Sequence, residues 1–394
     1  PIEQGYELLQ ILPYVLVLVG GIVGINVFVV LLVGIVCFFS VLGLMLRDRD
    51  YSESENRSLA QMPKLSASAL ADGSYLSALG TYVADQFPFR DGWISLNLAM
   101  NQALGQKEAS GIYLCRDGYL MQIPGESNET QLARNLAAIN TFGKGNPNLN
   151  IVMSVIPNAV TVHSDKLPNH APVRDQLADL KNIQSNLTGA KFADVTDILK
   201  EHREETLFYR TDHHWTSLGA CYALQEIGSV LNIPAPAPSE YTVYTVSDSF
   251  EGTLSSKSGS HRAEDVVELF VPKTDIEYYV TYESSQNGIC SMYDKTALER
   301  KDHYTVFFGG NYSRVDITTT ANTGRCLLLF KDSYANCMVQ FLYPYFDHIT
   351  MIDPRYYYDS MASVIKNADI TDVLYLYNLD TFLSDSSLAD ALES

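Results

Sequence analysis

The chain has 394 residues and a formal net charge of −19 at pH 7, long enough for one large domain or two ordinary ones. That charge argues against nucleic acid as a partner, since phosphate binding calls for a basic surface, and it suits a neutral or sugar-like substrate. Six cysteines (Cys37, Cys115, Cys221, Cys290, Cys326 and Cys337) show no CxxC or Cys/His ligand spacing, which speaks against structural zinc and leaves buried free thiols as the default.

The first element in chain order is a membrane segment. Ile11 to Leu46 is almost unbroken Val, Leu, Ile, Gly and Phe, with Asn26 its only amide and no charge. As one helix it would extend about 54 Å, against roughly 30 Å of hydrocarbon. One over-long span and two short spans turning near Gly20 to Asn26 both fit. The run far exceeds the apolar core of a signal peptide, and no small-x-small site follows it. Glu3 and Glu7 before it, and Arg47, Asp48, Arg49 and Asp50 after it, do not fix an orientation. A start at Pro1 is compatible with a piece of a longer membrane protein. Residues 1–50 therefore read as an anchor, 51–64 as a polar linker, and 65–394 as one catalytic domain.

Helical spacing through Leu76, Leu79, Tyr82, Val83 and Phe87, then Trp93, Leu96, Leu98 and Met100, predicts two helices joined at Phe87-Pro88-Phe89-Arg90-Asp91. Further helices are expected around 131–142, 173–187 and 217–231, with an apolar strand at 151–156 and a short strand at 207–209. From about 240 to 320 the composition turns to Thr, Tyr, Val, Ser and Gly with period-two alternation, as in an antiparallel β insertion. Strand 325–330, helix 335–345 and strands 348–352 and 372–377 resume the alternation. Strands alternating with helices imply an α/β fold with a mainly parallel sheet covered on both faces.

Thr211-Asp212-His213-His214-Trp215-Thr216 concentrates an acid, two imidazoles and an indole in a chain with 8 His and 2 Trp. Histidine is the usual proton shuttle near neutral pH, and a neighbouring carboxylate can hold its tautomer. The missing part is a nucleophile. Open α/β sheets bind ligands beyond the C-terminal ends of their strands. Leu327 to Phe330 followed by Lys331-Asp332-Ser333-Tyr334 is such a junction, where helix-start N–H groups could stabilise an oxyanion. Taken locally, Ser333 reads as a helix cap. Taken with Asp212-x-His214 at a second strand-to-helix junction, it completes an acyl-transfer site. A metal site on His213 and His214 is disfavoured, because adjacent residues on a strand point to opposite faces. No cofactor is expected.

TDHHWTSLGA, LLLFKDSYAN, SENRSLAQMP and YVADQFPFRD resemble the DHHW family of bacterial envelope proteins, which is similar to the alginate O-acetyltransferases with an SGNH-hydrolase-like fold. The resemblance implies Ser333 as nucleophile, His214 as base and Asp212 as its orienting carboxylate, with His213 and Trp215 supporting. Lys331 replaces the Gly of the usual Gly-Asp-Ser block, which bears on the oxyanion donors. Candidates for these are the N–H of Ser333 or Tyr334, then Arg355 and Tyr356, and less strongly Asn311. The implied activity is O-acylation, most simply O-acetylation, of an envelope or secreted polysaccharide outside the cytoplasm. A membrane-bound O-acyltransferase would supply the acyl group. A carbohydrate esterase with the same triad and a non-catalytic polysaccharide-binding component are the alternatives.

Overall fold

The computed structural model describes residues 26–282 and 291–393. The chain divides into two compact units, Pro1–Asn97 and Leu98–Ser394. In the first, Asn26–Met45 is a 20-residue helix of mean hydropathy 3.0, long and apolar enough to cross a membrane. The earlier part of the apolar run, which decides between one span and two, lies outside the described residues, as does Cys290. Helices Ser74–Asp85 and Arg90–Ala103 flank the Phe87–Arg90 elbow. The two N-terminal stretches that carried the resemblance meet here. Arg57 donates to Asp85 at 2.6 and 2.9 Å, Arg49 pairs with Asp91 at 2.8 Å, and Arg90 pairs with Glu55.

The second unit is built on a seven-stranded sheet. Its strands are β1 (Asn150–Ile156), β2 (Lys191–Phe192), β3 (Tyr278–Tyr282), β4 (Arg314–Thr319), β5 (Cys326–Lys331), β6 (His348–Ile352) and β7 (Asp372–Asn378). The order is β3-β4-β6-β5-β7-β1-β2, parallel from β6 through β2. The central strands are buried on both faces, and their residues alternate between two cores. Leu327, Leu329, Leu374 and Leu376 join the core that includes helix Ser217–Leu231 and helix Ala335–Leu342. Leu328, Phe330, Val373 and Tyr375 join the opposite core, with helix Glu129–Gly145 and helix Gln176–Asn186. Side-chain alternation on a strand covered on both sides produces this division.

The stretch 240–320 is antiparallel β as its composition implies, but it divides between two sheets. Tyr241–Phe250 and Asp265–Pro272 form a separate hairpin, but β3 and β4 extend the central sheet antiparallel beyond β6. Period-two alternation identifies a strand without naming the strand it pairs with. Residues 207–209 likewise form no strand of the sheet. They fold back on the hexamer through a bridge between Phe208 and Trp215. The fold requires little space there, since a Cβ on Gly219 would lie 2.3 Å from the Leu207 carbonyl oxygen.

Candidate active site

Parallel strand order places Ser333 at the centre of the C-terminal edge, directly after β5 and before helix Ala335–Leu342. The hexamer arrives there from outside the sheet. Asp212 and His214 are buried, at 2 % and 6 % exposure. His214 Nδ1 lies 2.6 Å from Asp212 Oδ1, and His214 Nε2 lies 2.7 Å from Ser333 Oγ. An ionised carboxylate only accepts, so Nδ1 carries the proton toward Asp212 and Nε2 is left to accept from the serine hydroxyl.

Asp212 has its acceptor capacity filled. Oδ1 also accepts from the His214 N–H at 3.0 Å, and Oδ2 accepts from the Thr253 N–H and hydroxyl, both at 2.8 Å. Burial pushes this carboxyl up, but the neighbouring His213 and His214 imidazoles and the hydrogen bonds from His214 and Thr253 prevail, holding it well below the usual carboxylate range. Asp265, itself buried, accepts from the Arg210 N–H, the Thr211 N–H and the Thr211 hydroxyl, fixing the chain that leads into Asp212. The His214 ring stacks on Tyr304 with centroids 3.8 Å apart and 12° between planes, while the Tyr304 hydroxyl donates to the Ser333 carbonyl at 2.8 Å. Trp215 is fully buried and donates from Nε1 to the Tyr334 carbonyl at 2.9 Å; the Tyr334 hydroxyl donates to the His213 carbonyl. Nucleophile and base are thus tied together by two hydrogen bonds between their neighbours and by the Tyr304 bridge, besides their own contact.

Residues 122–314, a stretch that includes Asp212 and His214 and ends before Ser333, match the family described as SGNH hydrolase-like domain, acetyltransferase AlgX. A DHHW family protein from Eubacterium siraeum superposes with a TM-score of 0.62 at 24 % identity, covering 73 % of this chain and 96 % of the other. PatB1 from Bacillus cereus, in a structure with a sulfonyl adduct, gives 0.58 at 21 % identity, covering 70 % and 98 %. The fold is SGNH-hydrolase-like. In sequence, the "Probable alginate O-acetylase AlgJ" of Pseudomonas syringae pv. tomato is 24 % identical over 196 residues, 47 % of this chain and 49 % of that protein. The chain spans about half the length of the curated relatives it matches. It is similar in fold to the DHHW protein and in sequence to the probable alginate O-acetylases.

Within this SGNH-hydrolase-like domain the oxyanion candidates separate. The Tyr334 N–H is taken by Asp332 Oδ1 at 2.9 Å, because the turn after β5 folds the Asp332 carboxylate back on it; the Ser333 N–H has no acceptor among the described residues. Asn311 turns its carboxamide oxygen toward Lys331 Nζ at 2.9 Å and Asn336 Nδ2 at 3.2 Å. Arg355 grips Asp353 through Nε at 2.8 Å and Nη2 at 2.6 Å, and the half-exposed Tyr356 ring lies against its guanidinium. Lys331, in place of the Gly of the Gly-Asp-Ser block, is fully buried. Burial lowers its ammonium to about 8 against the opposing pull of Asp353. Asp332 joins the two neighbouring strands' ends, with Oδ2 accepting from the Asn378 N–H at 2.8 Å, and burial pushes its carboxyl up despite the N–H groups of Asn378 and Tyr334.

His213 and His214 do not point to opposite faces. Residues 211–214 form a bend rather than a strand, and the two rings lie 3.9 Å apart. Donor atoms of Asp212, His213 and His214 consequently fall within 4.8 Å of one another. Each is engaged inside the protein: His214 with Asp212 and Ser333, His213 Nδ1 with the Thr253 hydroxyl at 2.8 Å. Gly252, Thr253, Asp265 and Tyr304 escaped the sequence reading. They come from the β-rich stretch, where no spacing links them to the hexamer.

Proposed function

We propose that this protein is a membrane-anchored O-acyltransferase, most simply an O-acetyltransferase, that modifies an envelope or secreted polysaccharide through an acyl-enzyme on Ser333. The observation that carries the reading is the line of Asp212, His214 and Ser333, with contacts of 2.6 and 2.7 Å. Residues 1–50 serve as anchor, 51–64 as linker and 65–394 as the catalytic part, outside the cytoplasm. A membrane-bound O-acyltransferase supplies the acyl group.

In the first half-reaction Ser333 Oγ attacks the donor's acyl carbon while His214 Nε2 takes the hydroxyl proton. The tetrahedral oxyanion forms beside the Ser333 N–H and the start of helix Ala335–Leu342, where developing negative charge is favoured. The donor's leaving group departs with the proton from His214. In the second half a sugar hydroxyl gives its proton to His214 and attacks the acyl ester, and Ser333 recovers the proton as the ester transfers. Asp212 holds the tautomer and balances the imidazolium throughout. The family match and the alginate O-acetylase relatives support transfer to a sugar over release to water.

The test is a cell-based one. Glycan O-acetylation should disappear when Ser333→Ala replaces the native protein at equal abundance. Unchanged acetylation would favour the polysaccharide-binding alternative; a rise would favour the esterase.

A further inference from the structure

The catalytic line occupies only part of the sheet's C-terminal edge. Beside it, the ends of β6, β7 and β1 leave an open cleft of about 520 Å3. His213 forms one wall, its ring 3.9 Å from that of His214. Asn378, whose N–H is held by the residue preceding Ser333, lines the cleft, and Arg355 after β6 lines it as well. The cleft therefore abuts the reacting serine's own turn.

Its lining residues are all polar or charged. No Leu, Ile, Val, Phe or Met lines it; its side chains end in amide, hydroxyl, carboxylate, imidazole and one guanidinium, and their carbon atoms make up close to half of the surface. This mixed lining offers polar groups to hydroxyls and carbon atoms to the faces of a sugar ring. The charge is also skewed. Arg355 is the only Lys or Arg in the lining, and two of its nitrogens already grip Asp353. Asp380 and Asp385 face the cleft with no ion pair among the described residues. Asp385 is 6 % exposed, and the Oδ2 atoms of Asp380 and Asp385 are buried without a hydrogen-bond partner among the described residues, while Asp380 Oδ1 accepts from Gln176 Nε2 at 3.1 Å. Confined carboxylates without a counter-charge repel a third one.

We propose that this cleft holds the acceptor and that the acceptor is a neutral, hydroxyl-rich sugar chain rather than a polyuronate. This rests on the acyl-transfer reading above and narrows it. Sugar hydroxyls donate toward the Asp380 and Asp385 side, and the amides of Asn158 and Asn378 and the free edge of Arg355 donate to sugar oxygens. Burial raises the Asp380 carboxyl to about 6, so above that pH a uronate carboxylate placed in the same cleft meets the Asp380 and Asp385 carboxylates and an arginine already paired with Asp353.

The experiment uses the full chain in detergent with p-nitrophenyl acetate as donor. Acceptors are matched oligomers of glucose, N-acetylglucosamine, mannose and galactose, against oligomers of uronic acids of equal length. At low ionic strength, acetyl transfer to the best neutral oligomer should exceed transfer to any oligouronate by roughly tenfold or more, about 1.4 kcal/mol. Asp385→Asn should narrow that ratio, and added salt should narrow it in the native chain. Equal or preferred transfer to oligouronates would overturn the proposal. So would acylation of Ser333 with no transfer to any neutral oligomer, which would leave the acyl-enzyme standing. Failure to acylate Ser333 at all would instead defeat the underlying reaction.

Discussion

Gly252 and Asp212 approach so closely that a Cβ built on the glycine would lie 2.3 Å from the aspartate Cβ and 2.6 Å from its Oδ2. The glycine's φ of −83° is ordinary, so the requirement is space rather than backbone freedom. Gly252→Ala should push Asp212 off the His214 ring and lower acyl-enzyme formation by about 100-fold, as a misplacement near 1 Å does. Pre-steady-state release of nitrophenol, with circular dichroism to show an intact fold, checks this. A variant with native rates would mean that Asp212 does not orient His214.

Thr253 supplies two of the four hydrogen bonds that Asp212 accepts. Thr253→Ala removes the hydroxyl donor and should cost roughly an order of magnitude in kcat. Thr253→Ser, which keeps the hydroxyl, should restore most of it, and KM for a small donor should hardly move. Loss confined to KM would assign Thr253 to substrate instead.

The two adjacent histidines should behave differently. His214→Gln removes the group between Asp212 and Ser333, and acylation should fall roughly a thousandfold or more. His213→Gln, whose side chain is a third exposed and bonded to Thr253, should keep acylation within about threefold because it leaves the proton path intact. Its effect should appear in transfer to sugar. Reversed phenotypes would reassign the base.

Asp316 offers a pH test of the sheet. Burial pushes its carboxyl up, but hydrogen bonds from His348, Arg314 and Thr350 outweigh this and hold it at about 2. A depressed carboxyl contributes stability that is present above its unfolded value near 4 and lost as pH falls through about 2. The contribution is about 2 kcal/mol at most. Thermal unfolding between pH 5 and 2 should show a shallower pH slope in Asp316→Asn than in the native chain.

Much of this was legible in the sequence, for identifiable reasons. The strands at Ile151, Leu327, Ile349 and Val373 announce themselves as short apolar runs, and the rule that sites lie at C-terminal strand ends placed Ser333. Asp212 and His214 were readable because their two-residue spacing suits a carboxylate holding an imidazole. Other features were not local. Gly252, Thr253 and Tyr304 reach the hexamer through long-range contacts, and no periodicity encodes those. Alternation in Tyr278–Tyr282 and Arg314–Thr319 marked strands without revealing that they join the central sheet. The expected splay of His213 and His214 assumed a strand where the chain bends. Nothing in the local sequence shows that the Asp332 carboxylate claims the Tyr334 N–H.

The central claim is the acyl-enzyme. The most direct measurement is mass spectrometry of the peptide bearing Ser333, from full-length protein quenched after mixing with an acetyl donor. The account predicts one acetyl group on Ser333, absent in His214→Gln and discharged when a sugar acceptor is added. Acetyl transfer to sugar by Ser333→Ala at the native rate would contradict it.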